Sequence, residues 1–583
     1  MMSEIRGKIY GVAGPTVIAK GMDGVKMNTV CLVGNSGLLA EVIRIREGLA
    51  TLQVYEDTGG LTVGQEVVSH AKPLTVLLGP GLLSNIYDGT QRPLYKIKEA
   101  GGDFIGKGLK VSPMDTAKPW PFIPLKKQGD AVTEGDVLGT IQETECISHK
   151  VMVPPGVSGT VKTIASAEVS GRAPVCTFED GSFVNLYQDW PVRKPRPFIA
   201  KLPPSMPFIT GQRMFDTLLP VVLGGTAIVP GGFGTGKTVV EQTIAKYGRA
   251  DIVIYIGCGE RGNEMTEILT DFPALKDPVT GLPLSHRTVI IVNTSNMPVA
   301  AREASLFTGV TIAEYYRDMG YNVALLADSI SRWAEALREI SSRLEEMPGE
   351  EGFPPHLATH LGSFYERSGK VRCLGPEDRY GSITVISAVS PPGGDFSEPV
   401  TQASLRFAGA LWALDPDLAY RRHFPAVNWQ ASFSLYYNEL KDWFTKEVSP
   451  EMQGLRQRLL KLLQRENELK EIIQIIGVEA LQESDRLMLE AAIIARDTFL
   501  KQSVFNEADA FNSYEKQFWM MKVIFAFADN AEAALKRGVY IEKIIDTPLR
   551  ADVMAMQDIP SIGFAQKAEA LIEAIEREFG AAE

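Results

Sequence analysis

The sequence predicts an α/β protein whose parallel β-sheet is covered by helices on both faces. Apolar runs that read as strands alternate with helical stretches, and the pattern changes on either side of this region. Buried parallel strands form unbroken apolar runs because both faces of such a sheet are covered. The runs are TAIV (226–229), DIVIYIG (251–257), TVIIVN (288–293), VALLAD (323–328) and ITVISAV (383–389).

The regions on either side of the α/β region predict further domains. Short β-like runs broken by glycine favour a small N-terminal β-barrel over residues 1–75, followed by a connector over 76–109. Residues 110–190 are β-like and rich in Pro and Gly, which predicts an inserted β-rich bulge domain. The α/β domain is then expected over 191–435, and a helical C-terminal domain over 436–583.

Two helices can be placed from their apolar periodicity. SRWAEALREISSRLEEM predicts a helix over 331–347 with an apolar stripe on one face. A second helix is expected over 452–476, with Gly477 as its C-cap.

Composition excludes several classes of protein. The chain has 583 residues, enough for three or four domains, and a formal net charge of -12 argues against a nucleic-acid partner. No apolar run is long enough to span a bilayer, and the N-terminal MMSEIRGKIYGVAG lacks the apolar core of a signal peptide. Five cysteines lie far apart without CxxC spacing, which is typical of reduced cytosolic thiols.

The stretch VPGGFGTGKTVV (229–240) matches the phosphate-loop pattern GxxxxGK[ST] at Gly231, Gly236, Lys237 and Thr238. Glycines let backbone N–H groups face the phosphates, lysine adds a positive charge, and the threonine hydroxyl can bind Mg²⁺. A chance glycine-rich turn is the alternative. It is disfavoured because a strand precedes the motif and a helix follows it.

Two further strands end in acidic residues. The first is followed by GCGERGNEM (257–265), which places Glu260 at the carboxyl end of a strand, where ligands bind in open α/β sheets. Glu260 could polarise the water that attacks a γ-phosphate, or it could only cap the helix beginning near Asn263. The strand VALLAD ends in Asp328, a position suited to the Mg²⁺ shell, and Arg332 could face the phosphates.

With these motifs in order, the chain resembles the catalytic A subunits of V-type/A-type rotary ATPases over nearly its whole length. The resemblance implies an α/β P-loop (RecA-like) nucleotide-binding domain with an N-terminal β-barrel, an inserted small β-domain and a C-terminal helical domain. The blocks that carry the resemblance include CGERGNEMT, TIAEYYRDMGY, ADSISRWAEALREISSRLEEMPGEEG, AVSPPGGDFSEPVTQ and RRHFPAVNW.

The resemblance implies a set of ATP- and ADP-binding residues. Lys237 and Thr238 would hold the phosphates and Mg²⁺, and Asp328 would be the Walker-B acid, holding the metal through water. The remaining loop residues expected to bind nucleotide are Gly231, Gly232, Phe233, Gly234, Thr235 and Gly236.

The resemblance also implies catalytic and base-stacking roles. Glu260 would activate water, with Arg261 helping to position it and Arg332 near the γ-phosphate. Lys237 would also act in catalysis. Phe424 and Phe505 resemble the two walls of an adenine pocket.

The implied function is ATP hydrolysis or synthesis coupled to stalk rotation and to transport of protons or sodium. The implied partners are a non-catalytic B subunit that supplies an arginine finger in an A3B3 hexamer, central-stalk and peripheral-stalk subunits, and an ion-translocating membrane sector. The chain would then lie peripherally on the cytoplasmic face of a membrane. Two rivals are a hexameric nucleic-acid translocase, which the acidic charge disfavours, and a nucleotide-sensing subunit without turnover, which Lys237, Glu260 and Asp328 disfavour.

Overall fold

The chain forms two compact units, each assembled from two stretches of sequence. The first unit consists of Met1–Pro203 and Ala250–Phe407, and the second of Pro204–Arg249 and Ala408–Glu583. The computed structural model describes residues 4–102, 106–171, 173–271, 275–477 and 481–581.

A closed antiparallel barrel lies at the start of the first unit, as the sequence predicts. Its strands follow the order β1-β2-β5-β4-β3-β6. Alternate side chains face the core, so Val17 and Ala19 are fully buried while Lys20 is exposed. The strands are β1 (Ile5–Ala13), β2 (Thr16–Lys20), β3 (Thr29–Val33), β4 (Leu38–Arg46), β5 (Leu49–Val54) and β6 (Glu66–Pro73).

The next part of the first unit is also β-rich, in agreement with the predicted inserted domain. Two four-stranded sheets have the orders β10-β13-β15-β16 and β12-β11-β9-β14, and β17 pairs with β7. The elements are β7 (Thr75–Leu78), β8 (Ile86–Tyr87), α1 (Leu94–Gly101), β9 (Trp120–Pro124), β10 (Ala131–Val132), β11 (Val137–Gln142), β12 (Ser148–Met152), β13 (Gly159–Ile164), β14 (Glu168–Val169), β15 (Pro174–Phe178), β16 (Phe183–Asn185) and β17 (Gln188–Pro191).

The following stretch alternates strands and helices, which confirms the predicted α/β pattern. Its elements are β18 (Ala200–Leu202), β19 (Thr226–Pro230), α2 (Lys237–Tyr247), β20 (Ile252–Cys258), α3 (Gly262–Asp271), β21 (Thr288–Asn293), α4 (Val299–Asp318), β22 (Asn322–Asp328), α5 (Ile330–Arg343), α6 (Leu357–Tyr365), β23 (Gly369–Arg372), β24 (Tyr380–Val389), α7 (Pro399–Leu405), β25 (Ala410–Leu411), α8 (Pro416–Tyr420) and β26 (Phe433–Ser434).

Parallel pairing dominates this stretch. In the first unit the parallel order is β24-β22-β20-β21-β8, and β23 joins β24 antiparallel. In the second unit β19 pairs parallel with β25, which pairs antiparallel with β26. Every residue of β19, β20 and β21 is buried, as expected for strands covered on both faces.

The second unit ends in a helical region, as predicted. Its helices are α9 (Tyr437–Glu447), α10 (Met452–Ile476), α11 (Glu483–Ile494), α12 (Glu507–Ala510), α13 (Tyr514–Lys536), α14 (Ile541–Ile545), α15 (Pro548–Ala555) and α16 (Phe564–Ala581). No helix in the described ranges combines the length and the apolar character that crossing a membrane requires.

The two helices placed from sequence differ in how closely their ends match the prediction. Helix α10 spans the expected range, and Gly477 follows it with φ 81°, a value that suits glycine. Helix α5 ends at Arg343, four residues before the predicted end. Glu345 takes a left-handed φ of 54°, so the chain has already left the helical conformation.

Candidate functional site

The phosphate-loop motif joins β19 to α2 in the second unit. Gly234 and Gly236 adopt φ values of 76° and 93°, which glycine tolerates and other residues rarely adopt. The Lys237 Nζ donates hydrogen bonds of 2.8 Å to the carbonyl oxygens of both Gly231 and Gly232. Thr238, the second residue of α2, is half-buried. Strand, loop and helix thus follow one another in the order a phosphate loop requires.

The remaining loop positions differ in how tightly they are packed. A Cβ added to Gly231 would lie 2.5 Å from Oγ1 of Thr235 and 2.8 Å from Cβ of Leu414. At Gly232 the nearest such contact is 4.0 Å, to Cγ2 of Thr235. The Thr235 hydroxyl donates a 2.8 Å hydrogen bond to the Gly232 carbonyl, while the Phe233 side chain is 80% exposed. The loop therefore has a packed inner side and an open outer side.

A cavity of about 370 Å³ lies beside the loop, within the second unit. Gly236 and Val239 line it, together with Phe424 and Phe505, so the structure brings the two predicted aromatic residues to one cavity. Phe424 is 40% exposed, whereas Phe505 is 95% exposed. Phe424 is therefore the better-packed apolar wall, and Phe505 stands at the mouth.

The sequence analysis did not identify the groups that hold the cavity wall around Lys501 and Gln502 in place. The backbone N–H of Gln502 donates to the Phe424 carbonyl at 2.8 Å, and its side-chain oxygen accepts from the Arg213 N–H at 2.8 Å. The guanidinium of Arg213 is fully buried, donates to the Lys501 carbonyl at 2.6 Å and pairs with Asp509. No local sequence pattern marks the contacts of Arg213, because Gln502 and Asp509 lie 289 and 296 positions away from it.

Glu260 and Asp328 lie at the carboxyl edge of the parallel sheet in the first unit. Gly257 pairs with Asp328 across β20 and β22, and Glu260 follows β20 by two residues. Asp328 is 1% exposed, and Glu260 is half-buried. The structure thus brings two predicted carboxylates to one edge of the sheet, where ligands of such sheets bind.

The electrostatics of Glu260 are unusual for a carboxylate. Burial, the negative charge of Asp328 and a hydrogen bond with Glu264 together raise the pKa of Glu260 to about 7, against a smaller opposing effect of Arg332. A general base works best when its pKa lies near the working pH. Glu264 is a further contributor that the sequence analysis did not single out.

The two predicted arginines occupy different surroundings in the first unit. Arg332 packs against Gly259, where an added Cβ would lie 2.6 Å from the Arg332 Cβ. Its Nη1 donates to Glu335 at 2.9 Å, and the side chain is 42% exposed. Arg261 is exposed. Both guanidinium groups are thus accessible to solvent.

Asn293 is another polar group that the sequence analysis missed. It ends β21 opposite Cys258, and its side chain is fully buried. Neither the amide nitrogen nor the oxygen has a hydrogen-bond partner among the described residues. Buried polar atoms are usually paired, so an orphaned amide at this sheet edge marks a place where a bound group or water would be held.

Models of ATP synthase subunits match four stretches that together make up most of the chain. Four family models match the chain: the ATP synthase alpha/beta family nucleotide-binding domain over 211–434, its beta-barrel domain over 9–70, the alpha/beta subunit barrel-sandwich domain over 111–193, and the C-terminal domain of V and A type ATP synthase over 441–545.

Curated relatives match over almost their full length. The A subunit of an A-type ATP synthase from Methanospirillum hungatei is 54% identical, with 95% of each chain covered. The corresponding A subunit of the A-type ATP synthase from Methanopyrus kandleri is 53% identical, with 99% of each chain covered. A V-type ATP synthase alpha chain from Thermoanaerobacter pseudethanolicus is 53% identical, with 94% of each covered.

A solved structure agrees in fold. The ATPase EscN of the enteropathogenic E. coli type III secretion system matches with a TM-score of 0.62 and 24% identity, covering 89% of this chain and 99% of that one. At this identity the match speaks to the fold alone.

Proposed function

Since the chain belongs to the ATP synthase alpha/beta family, we propose that it is the catalytic, ATP-hydrolysing or ATP-synthesising subunit of a rotary V/A-type ATPase. Turnover of ATP would be coupled to rotation of a stalk and to transport of protons or sodium. The observation that carries the proposal is the cavity of about 370 Å³ at the phosphate loop, lined by Gly236 and Phe424.

Nucleotide binding follows from the chemistry of that cavity. An aromatic face at Phe424 suits the π-surface of a purine, because base–aromatic stacking contributes about 1–3 kcal/mol. The glycines with left-handed φ and the amino end of α2 suit a chain of phosphates. Lys237, which now donates to two loop carbonyls, carries the charge that would move to the phosphates.

The proposed metal is Mg²⁺, which polarises the phosphates and neutralises developing charge when bound. Oxygen ligands suit this ion, and the chain offers the hydroxyl of Thr238 and the carboxylate of Asp328. Asp328 is nearly fully buried, which suits a carboxylate that acts on a cation.

Glu260 is the proposed general base in hydrolysis. With its pKa raised to about 7 by burial and by neighbouring carboxylates, it can take a proton from an attacking water near neutral pH. Arg261 and Arg332 are proposed to position the water and the γ-phosphate. Both are accessible to solvent, as a side chain that contacts a bound ligand must be.

The relatives are named as subunits of ATP synthases, so other subunits are implied. We propose a non-catalytic B-type partner, alternating with this chain in an A3B3 hexamer and supplying an arginine finger. Central and peripheral stalks and a membrane sector would complete the machine, with this chain peripheral on the cytoplasmic side. An arginine finger accelerates phosphoryl transfer by about 10³–10⁵-fold, so the isolated chain should bind nucleotide but hydrolyse it poorly.

The test is an ATPase assay of the chain purified alone and with a B-type partner. We expect slow turnover alone and rapid turnover in the complex. Glu260→Gln should abolish turnover in the complex while ADP binding persists. The matched control is Glu350→Gln, an exposed carboxylate of the first unit, which should leave turnover unchanged. Vigorous hydrolysis by the isolated chain, or full activity of Glu260→Gln, would contradict the proposal.

A further inference from the structure

A second cavity, of about 640 Å³, lies in the helical part of the second unit. Its walls come from α10, from α11 and from the segment that contains His423 and Trp429. It is separate from the cavity at the phosphate loop, although Lys501 lines both. This volume falls within the range of small-molecule sites in proteins.

The acidic groups around the second cavity are already neutralised. Glu466 pairs with Lys470 at 2.7 Å and also with Arg496. Asp497 pairs with Arg496 at 3.1 Å. The third acid, Glu490, pairs with Arg550, which does not line the cavity. The acids therefore leave little negative potential inside.

Two cations at the cavity have no acidic partner. Within the described ranges, neither Arg421 nor Lys501 forms a side-chain ion pair, and both side chains line the cavity. Arg486, also in the wall, forms an ion pair of 3.3 Å with Glu542, whose side chain is 62% exposed. The cavity therefore carries an uncompensated positive charge, which favours an anion.

A buried donor completes the site. The indole Nε1 of Trp429 lines the cavity and is buried without a hydrogen-bond partner within the described part of the chain. His423, in the same wall, is 6% exposed, and burial lowers the pKa of its ring against smaller opposing effects of hydrogen bonds with the backbone of Arg496 and Pro425. The ring is therefore neutral near pH 7 and adds no negative charge. Buried donors are usually satisfied, so the Trp429 N–H points to a missing acceptor.

From this combination we propose that the cavity is a second anion site, which binds a di- or triphosphate group. Several cations at different points of the wall suit a ligand with several charged oxygens, and guanidinium groups match phosphate oxygens in a bidentate manner. The neutral Trp429 N–H would bind an oxygen that the cations do not reach. Apolar side chains also line the cavity, including Leu418, Ile473 and Ile493, so the phosphates could belong to pyrophosphate or to a nucleotide with an organic part.

The experiment uses isothermal titration calorimetry of the full-length chain. ADP is titrated first to count its sites, and pyrophosphate is then titrated into the ADP-saturated chain, where the phosphate loop is already occupied. One pyrophosphate bound per ADP-saturated chain would identify free polyphosphate as the ligand. Two ADP molecules bound per chain would identify a nucleotide.

Arg421→Gln should weaken whichever second-site binding is seen by at least about ten-fold, because it removes a charge-assisted hydrogen bond. Lys461→Gln is the matched control: it removes one exposed positive charge from α10 outside the cavity and should leave binding unchanged. Arg421 is exposed, so its variant should fold; should it not, Arg486→Gln tests the same charge cluster.

A single ADP site with no heat from millimolar pyrophosphate would overturn the proposal. Equal weakening by Arg421→Gln and Lys461→Gln would overturn it as well, since that result signals only general surface charge. Failure of ADP to bind at all would count against the proposed ATPase function instead. Pyrophosphate binding and its dependence on Arg421 would still decide the second site.

Discussion

Gly236 and Phe424 lie side by side in the lining of the cavity beside the phosphate loop, separated by little more than the space of one methyl group. A Cβ on Gly236 would be 3.6 Å from Cε1 of the Phe424 ring. The last glycine of the loop and the aromatic ring therefore border the same part of the cavity, and we expect a nucleotide whose phosphates reach the loop to place its base near the ring. This relationship makes base stacking testable separately from phosphate binding.

Phe424→Ala is expected to weaken binding of ADP by roughly 5- to 150-fold, the equivalent of one lost base–aromatic stack of about 1–3 kcal/mol. Phe424→Tyr, which keeps the ring, should restore most of the affinity. Calorimetry with ADP measures both variants. Phe505→Ala should have a smaller effect, because that side chain is 95% exposed and less well held.

Phe433→Ala is the matched control for stacking. Phe433 belongs to the same unit and is 39% exposed, close to the 40% of Phe424, but does not line the cavity. Its loss should leave ADP affinity unchanged. Equal effects of Phe424→Ala and Phe433→Ala would show that general destabilisation, and not stacking, lowers affinity.

The raised pKa of Glu260 makes stability depend on pH in a defined direction. Its pKa moves from an ordinary 4.5 to about 7 in the folded chain, so between these values the folded state holds more protons than the unfolded state. The contribution of Glu260 to stability is therefore full below pH 4.5 and is lost as pH rises through about 7. Glu260→Gln should raise the free energy of unfolding at pH 8, by at most about 3 kcal/mol, and have little effect at pH 4.5.

Thermal unfolding of the nucleotide-free chain at pH 4.5, 6 and 8 measures this effect. Glu350→Gln, at an exposed carboxylate, should give the same small change at every pH. A gain from Glu260→Gln that does not depend on pH would contradict the raised pKa. In the complex, the same pKa predicts that wild-type hydrolysis declines as pH falls below about 7.

Sequence reasoning succeeded where the signal is local. The parallel strands were placed to within a few residues, because strands buried on both faces leave unbroken apolar runs. The places of the loop glycines and of the strand-end acids in the fold could be predicted in the same way. Phe505 is predicted only from family resemblance, since nothing in the sequence near residue 505 indicates that it lines the same cavity as Phe424.

Contacts between distant residues left no such signal. Arg213 and Asp509 are 296 positions apart, and the sequence around a single Arg or Asp does not indicate which residue pairs with it. The Trp429 N–H, which has no partner within the described part of the chain, likewise depends on which helices surround it. The early end of α5 reflects a left-handed residue, Glu345, within a run whose composition is still helical.

Gly232→Pro is expected to preserve ADP affinity and activity in the complex. The φ of Gly232 is not in the left-handed region, and the nearest atom to an added Cβ is 4.0 Å away. A proline there keeps the carbonyl that accepts from Thr235 and Lys237, and it restricts the unfolded chain, so stability should stay within about 1 kcal/mol of wild type.

Gly231→Ala is the contrasting change in the same loop. The added methyl would lie 2.5 Å from the Thr235 hydroxyl and 2.8 Å from Leu414, an overpacking that costs about 1–3 kcal/mol. ADP titration and thermal unfolding of both variants provide the measurement. A loss of affinity in Gly232→Pro as large as that in Gly231→Ala would show that loop flexibility, and not packing, governs binding.

Arg213 should be the residue on which the cavity wall depends most. Arg213→Met would leave Asp509, 2% exposed, without its counter-charge, and an unpaired buried charge costs about 3–5 kcal/mol. It would also free the carbonyls of Phe499 and Lys501, which the guanidinium now holds, so ADP affinity should fall together with stability. Urea unfolding and ADP titration measure the two effects.

A second Arg–Asp pair in the same unit provides the control for Arg213. Arg458 and Asp529 are 46% and 55% exposed, so Arg458→Met should cost less than about 1 kcal/mol and leave ADP affinity unchanged. Adding Asp509→Asn to Arg213→Met removes the stranded charge but keeps an oxygen for the Ser503 N–H, so it should recover part of the stability. If Arg213→Met and Arg458→Met lost equal amounts of stability and of ADP affinity, burial of the Arg213–Asp509 pair would not be what supports the cavity wall. If the double variant recovered stability but not ADP affinity, the loss of affinity would be due to the lost hydrogen bonds from the guanidinium to the two carbonyls. The double variant cannot restore those bonds.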